Sequence, residues 1–492
     1  MGLLRKLVFY FFSLIYIVVC PILVLYALGY LFKPGHEQGI VKTGLIYAAT
    51  VPAGASVTLA GKPKDQPTPS LMLDLMPGDY ELTLSLKGYK TWTQNLPVEA
   101  GKATVIDKIL LLPEEFNPEI LTAESFRDLV SFARGTRLLL TKTSKLSDVR
   151  IFDTRNGDVH PLLPPGSSLA ALRYSRFFIH EDSSAILFES EEGSGGRRYL
   201  FFKADDETPK DLTTLFLEPP ETVVWSGASD GFLFSLRKGS VDRLDVEKNT
   251  VSPGFLNDVR GIGLFEKGVY VLKNDNTLWI QDMDGDGRKL LSRDTELVKT
   301  LLGETEGYSL RVFSRDLVLF LGPSGQLVSN RLPYVHAEAG ITGIEFYDGS
   351  FLVGPRKVLA WGRSSIGVLD FRRMSAEKEI FEKGVRLVSV LKERADIRQA
   401  FWVFDGAHVL FRDGERVSLL ELEGFGKSQV SPIVDVKKDS SVYYSDDTGK
   451  LYYLAEEGGV LSALEILPKR KIKFLTMPSL LEERKESEIR EV

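Results

Sequence analysis

The sequence predicts an all-β protein with one N-terminal transmembrane helix. A small β-sandwich is followed by a β-propeller of eight blades, with seven as the alternative. Three observations predict it. Residues 7–32 contain no charged side chain. Residues 44–112 alternate apolar and polar positions at period two between Pro- and Gly-bearing turns. Residues 120–467 repeat short apolar strands between turn signals, without a convincing long amphipathic helix.

The bulk properties fit several folded units. The chain has 492 residues, 43% of them apolar and 26% charged, enough for real cores and for two or three domains. Its formal charge is −6; without Arg5 and Lys6 the rest holds 59 basic and 67 acidic residues, or −8. Such an acidic body with no basic stripe argues against nucleic acid as a partner, because phosphate binding needs clustered Lys and Arg. The one cysteine, Cys20, lies in the apolar stretch, so neither a disulfide framework nor a Cys-type zinc site can form within the chain.

Leu7 to Phe32 would extend roughly 39 Å as a helix, against a hydrocarbon core of about 30 Å. Pro21 in mid-span is tolerated there, and Tyr10, Tyr26 and Tyr30 suit interfacial belts. A cleaved signal peptide would have a shorter apolar core, although Ala27-Leu28-Gly29 has cleavage-like spacing. A lipoprotein site at Cys20 is disfavoured by Val19 before it and Pro21 after it. An uncleaved anchor is therefore expected at 7–32, with residues 1–6 cytoplasmic and the body outside. Arg5 and Lys6 lie against the N-terminal end, and Lys33 and Lys42 follow the other, so closeness to the span decides the orientation.

A linker, residues 33–43, leads into the first soluble unit. Leu45 to Ala49, Ser56 to Leu59, the alternating Leu71, Leu73 and Leu75, then Tyr80, Leu82 and Leu84, Tyr89 to Leu96 and Ala103 to Leu112 read as its strands. Pro52-Ala53-Gly54-Ala55, Gly61-Lys62 and Gly88 turn the chain, and Met76-Pro77-Gly78-Asp79 has the signature of a type II turn. The run Pro52-Ala53-Gly54-Ala55-Ser56-Val57-Thr58-Leu59-Ala60-Gly61, then Thr68-Pro69, Pro77-Gly78-Asp79-Tyr80 and Gly88-Tyr89, resembles the PEGA domain over residues 44–112. Ala53 stands where the family's name has Glu, which matters little if Pro and Gly shape the turn. The resemblance implies an envelope-facing β module beside a transmembrane helix, which supports the outside orientation. It brings no catalytic residue.

Beyond the polar boundary 112–119, eight strand-turn-strand units start at Arg137, Ala185, Gly231, Gly268, Asp316, Gly349, Ala400 and Ser441. They are 48, 46, 37, 48, 33, 51 and 41 residues apart, around the roughly 40–50 of a four-stranded blade. The spacing of 33 reads as a half blade. A single blade cannot bury both faces of its sheet, whereas a closed ring does so and leaves only short edges. The units lack the Gly-His and Trp-Asp signature of the commonest propeller repeats and look more like the irregular blades of TolB-type propellers. Two stacked sandwich domains are the alternative. The tail, residues 468–492, is charged and reads as a solvated terminus.

Motifs for chemistry are weak. Gly227-Ala228-Ser229-Asp230-Gly231 matches G-x-S-x-G, but a nucleophile elbow needs a helix after the serine, and an alternating strand follows here. Asp282, Asp284 and Asp286 open a D-x-D-x-D-G run that could hold a cation, yet Leu290 and Arg293 occupy the ninth and twelfth positions of a calcium loop. An acidic hairpin turn is the stronger reading. His36, His160, His180, His336 and His408 show no metal-ligand spacing, and Gly193-Ser194-Gly195-Gly196 lacks the lysine of a phosphate loop. Trp225, Trp279, Trp361 and Trp402 fall at comparable places in separate units. Blade packing is the first reading for them, and an aromatic ring for glycan or peptide contact the second. No catalytic, cofactor or metal residue is therefore assigned. The expected function is membrane-anchored binding or scaffolding, with an envelope protein or cell-wall polymer as partner. The alternative is a propeller enzyme whose site is assembled from several blades.

Overall fold

The computed structural model describes residues 2–27, 29–32, 40–180, 182–191, 196–204, 206, 208–227, 229–292, 307–315, 317–330, 335–337, 339–347, 357–370, 385–386, 389–422 and 429–468. The tail after 468, the glycine-rich 193–195 and His36 lie outside them.

Helix α1 (Gly2–Ala27) carries Pro21 inside it, and its stretch Val8–Tyr26 is long and apolar enough to cross a membrane. The helix ends five residues short of the expected 32. Gly29 takes φ +80°, donates its N–H to the Tyr26 carbonyl at 2.9 Å, and accepts at its own carbonyl from the Thr43 N–H and Oγ1 at 2.7 and 2.9 Å. That left-handed glycine stops the helix. Tyr30–Phe32 (β1) then pairs antiparallel with Ile40–Lys42 (β2). The apolar run was therefore longer than the helix it encodes.

The sandwich has two sheets. β3 (Gly44–Val51) lies between β6 (Ser70–Leu75) and β9 (Ala103–Leu110), antiparallel to the first and parallel to the second. The facing sheet runs β5 (Lys62–Pro63), β4 (Ser56–Leu59), β7 (Gly78–Ser85), β8 (Trp92–Val98). Ile46, Ala48, Val57, Leu59, Leu82, Leu84, Trp92 and Leu96 fill the space between them. Two sequence expectations change here. Asp74 adopts φ +59° and the β3–β6 register shifts beside it, so Met72 and Leu75 point inward while Leu71 and Leu73 are 49% and 56% exposed. A one-residue slip reverses which side chains a strand buries, and a bulge makes that slip. Gly78 has φ +151° and already pairs with Val98, so Met76–Asp79 is a bend into β7 rather than a type II turn.

Residues 119–465 form eight sheets of four or five strands among the described residues, antiparallel except for the parallel pair Val335–Ala337 and Val385–Arg386 in the five-stranded one. Sheet 1 comprises Asp128–Phe132, Arg137–Thr141, Val149–Asp153 and Val159–Pro161. Sheet 2 comprises Arg173–Ile179, Ala185–Glu191, Arg197–Lys203 and Lys210–Asp211. Sheet 3 begins with Thr222–Ser226 and Ser229–Arg237, and sheet 4 with Val259–Phe265 and Gly268–Lys273. Sheet 5 begins with Ser309–Ser314 and Leu317–Leu321, and sheet 6 with Ile341–Tyr347 and Lys357–Gly362. Sheet 7 holds Ile397–Val403, His408–Asp413, Arg416–Glu421 and Val430–Asp435. Sheet 8 holds Tyr443–Ser445, Lys450–Leu454 and Val460–Glu465, and its outer strand is Glu119–Ser125 from the start of the region.

The second strand of each sheet explains the repeat seen in the sequence. In sheets 1, 2 and 5 these strands, RLLLT, AILFESE and LVLFL, are almost continuously buried because a neighbouring sheet covers each face. Leu187 packs towards Trp225 and Leu233 of sheet 3, whereas Ile186 and Phe188 pack towards Phe132 and Leu139 of sheet 1. The same sharing links sheets 3 and 4 through Phe234, Val241 and Ile262, and sheets 4 and 5 through Tyr270, Val318 and Phe320. Sheets 5 and 6 share Leu319 and Val358, sheets 6 and 7 share Leu359 and Phe411, and sheets 7 and 8 share Leu410 and Leu451. Leu138 and Leu454 join sheet 8 back to sheet 1. This is a closed propeller, not two stacked sandwiches. The spacing of 33 is no half blade: the second strands of sheets 5 and 6 start at residues 317 and 357, and each belongs to a full sheet.

Candidate functional site

The first strands of sheets 1, 4, 5, 6, 7 and 8, and the first turns of sheets 1, 2, 4 and 8, meet around one mouth of the ring. A cavity of about 710 Å³ opens there, lined by Phe132, Arg134, His180, Asp182, Phe265, Glu266, Glu345, Trp361, Phe401, Tyr443, Tyr444, Asp446 and Asp447 among others.

Most polar groups at the mouth fasten one turn to the next. The Ala133 N–H donates to the Ser183 carbonyl at 3.0 Å, from sheet 1 to sheet 2. Asp182 accepts from the Gly227 N–H at 3.0 Å and from Ser226 Oγ at 3.3 Å, while Ser226 Oγ also reaches the Glu266 carbonyl at 2.9 Å. Arg315 pairs with Glu266 at 2.9 Å, and Glu345 accepts the Trp402 N–H at 3.0 Å. His180 Nδ1 lies 2.5 Å from Asp182 Oδ1. Burial raises the Asp182 carboxyl, but hydrogen bonds from His180, Gly227 and Ser226 outweigh it and leave the group below its ordinary range.

Sheets 7 and 8 differ. Asp405 in the first turn of sheet 7, and Asp446 and Asp447 in that of sheet 8, form no ion pair among the described residues. Asp446 keeps a wet surface, yet the walls surround its carboxyl; burial first, then Asp447 and Asp405, push it up to about 6. Burial, with Asp405 and Asp446 adding to it, raises Tyr347 to about 12, and burial with the same two acids raises Tyr444. The Tyr444 hydroxyl is buried without a hydrogen-bond partner.

The sequence candidates scatter. Trp225 and Trp402 are buried between sheets, as the packing reading expects. Trp361 lines the cavity, and Trp279 instead stacks under the Arg288 guanidinium at 4.3 Å, outside it. They make no ring of aromatics. Asp282, Asp284 and Asp286 occupy an exposed hairpin turn closed by Asp282 N–H to the Asp286 carbonyl, with Asp284 3.2 Å from Arg243. No group of three metal-ligating side chains converges among the described residues. Ser229 starts a strand, Ser229–Arg237, not a helix. His160 is exposed on an outer strand, and the His336 side chain lies outside the described residues. Asp182, Asp405, Asp446 and Asp447 were missed because each is an ordinary turn residue in the linear chain. The signal available was a carboxylate recurring in several first turns, at Asp182, Glu266, Asp405 and Asp446, although the first turns of sheets 1 and 3 carry none.

The sandwich docks on the same end of sheet 7 that carries the Asp405 turn. Leu110 and Leu112 join Val403, Phe404 and Leu419 in one core, and Lys108 Nζ donates to the Asp405 carbonyl at 3.3 Å. Trp92 Nε1 donates to both Glu421 oxygens at 3.2 and 3.1 Å. Burial nevertheless holds the Glu421 carboxyl above its ordinary range. The family model of the PEGA domain matches residues 43–111. Residues 43–111 are a PEGA domain. At its far end Thr43, which follows the hairpin, donates its N–H to the Gly29 carbonyl and accepts the Gly101 N–H, so the PEGA domain stands between helix and propeller.

Solved structures similar to this chain include the computationally designed Ika8 protein, at 11% identity and TM-score 0.43, covering 70% of this chain and 97% of that one. The WD40 repeats of RRP9 align at 12% and 0.36, covering 71% and 97%. The β-propeller domain of Cps50 (Swd1) from Myceliophteria thermophila aligns at 12% and 0.36, covering 72% and 99%. The propeller assignment rests on this chain's own sheets and their closure. No curated protein matches the chain.

His408, beside the PEGA contact, is 2% exposed and pairs across the strand with Glu421. Burial, then Lys108, lowers its imidazole to about 4. The unfolded chain therefore takes up the proton first as pH falls. Stability contributed by neutral His408 is full above pH about 6.5 and is lost down to pH about 4, by up to about 3 kcal/mol. Denaturant unfolding of wild type and His408→Leu across that range should show the acid slope reduced in the variant. Equal slopes would contradict this.

Proposed function

We propose that this is a single-span membrane protein whose body lies outside the cytoplasm and binds or scaffolds a partner without catalysis. The partner is an envelope protein or a cell-wall polymer, met at the mouth of the propeller. One observation carries the reading: the PEGA domain is packed onto the propeller end where the cavity opens, so helix, spacer and mouth form one continuous presentation. β3 alone has eight residues, a stand-off of about 26 Å. A photo-crosslinking residue in place of Phe401, which lines the cavity, should give a discrete adduct in intact cells. The same residue in place of exposed His160 should not. Protease added to spheroplasts should remove the body; full protection until lysis would end the reading.

A second reading, a propeller enzyme, draws support from Asp446, a carboxyl held near pH 6 beside Asp447. It requires turnover of some glycan or peptide that Asp446→Asn abolishes, whereas a binding protein has no turnover to lose.

A further inference from the structure

We propose that the part of the mouth formed by the first turns of sheets 7 and 8 recognises a basic peptide side chain, its ammonium or guanidinium group held by Asp405, Asp446 and Asp447. This rests on the reading above and names the chemistry the partner must carry.

No ion pair compensates this charge among the described residues, although Arg134 lines the same cavity. Other acids at the mouth are spent: Asp182 on His180 and Gly227, Glu266 on Arg315, Glu345 on the Trp402 N–H. Asp405, Asp446 and Asp447 have no cation within ion-pair reach among the described residues, and Lys108 goes to the Asp405 carbonyl oxygen instead. Like charges raise one another's pKa, and the raised Asp446 carboxyl reports that mutual repulsion together with burial. A cation seated between them would offset that repulsion and favour the ionised carboxylates.

A second observation concerns a different kind of group. Tyr444, 4% exposed and on the cavity wall, has a hydroxyl with no hydrogen-bond partner. A buried hydroxyl in this state gains a bond from any ligand donor or acceptor that reaches it. Phe401 and Tyr443 stand edge to face at 6.4 Å on the same wall, which adds aromatic surface for a cation or its aliphatic stem.

The shape selects the kind of cation. The carboxylates do not converge tightly enough for a metal ion, since no three-residue ligand group exists among the described residues. A cavity of about 710 Å³ suits instead an extended side chain whose several N–H donors reach separate carboxylates.

The test uses the full chain in detergent micelles and calorimetric titration with N-acetyl-tetralysine amide at low ionic strength. Its Nε-acetylated counterpart has the same length without the charge. Wild type should bind the charged peptide, and the acetylated one at least about tenfold more weakly. Asp446→Asn/Asp447→Asn should lose a similar factor. Glu114→Gln/Glu115→Gln, which removes two exposed acids elsewhere, should not. Matching thermal unfolding establishes that the variants fold. No binding by wild type, equal binding by Asp446→Asn/Asp447→Asn, or an equal loss in the Glu114/Glu115 control overturns the proposal. An adduct at position 401 in cells alongside any of those results would leave the wider binding reading standing and this one refuted.

Discussion

Ser462→Pro will open the ring, lowering stability by on the order of 3 kcal/mol and breaking the single unfolding transition of the propeller. Ser462 is buried in the Val460–Glu465 strand of sheet 8, with Tyr453 opposite it on one side and Ile120 on the other. Ile120 belongs to Glu119–Ser125, the strand that the start of the region lends to its last sheet. A proline here removes a ladder donor in a strand paired on both sides, where prolines are not tolerated. The damage falls on closure: the core shared by sheets 8 and 1, including Leu138 and Leu454, loses its support. Ile120→Ser tests the backbone origin of the effect. The Ile120 side chain is 70% exposed, so this change should stay within about 0.5 kcal/mol. Denaturant unfolding followed by circular dichroism distinguishes the two. Similar losses for both would show that side-chain packing, not strand pairing, closes the ring.

Trp225→Ala will cost about 3–5 kcal/mol, whereas Trp225→Phe will cost under about 1.5 kcal/mol. Trp225 is fully buried between sheets 2 and 3, among Leu187, Phe201 and Leu233. Its ring meets Phe201 edge-on at 6.0 Å and lies 6.3 Å from His180. Alanine leaves a void that close-packed neighbours can only partly fill. Phenylalanine keeps most of the volume, and nothing polar is lost because the indole N–H has no hydrogen-bond partner. Chemical denaturation of the three proteins checks this. A large loss in the phenylalanine variant would mean that the indole nitrogen does contribute, through a bound water.

Much of the fold was legible because its forces act over short stretches of chain. The second strands could be found since burial on both faces writes an unbroken apolar run, as in RLLLT and LVLFL. The PEGA turns could be found since proline and glycine restrict the backbone locally. The inward face of β6 could not, because a single residue, Asp74, at φ +59° reverses the pattern without any signature in the leucines around it. Nor could the end of α1, where Gly29 and Thr43, fourteen residues apart, overrule a run of twenty-six uncharged positions.

The sequence by itself determined an apolar N-terminal helix, a PEGA domain and a train of four-stranded units, because each follows from periodicity and turn chemistry within tens of residues. Only the tertiary structure decided which acids meet. Asp405 and Asp446 stand about forty residues apart in the chain and become neighbours because successive first turns end at the same mouth. Electrostatic repulsion falls with distance through space, and no pattern along the chain records that distance.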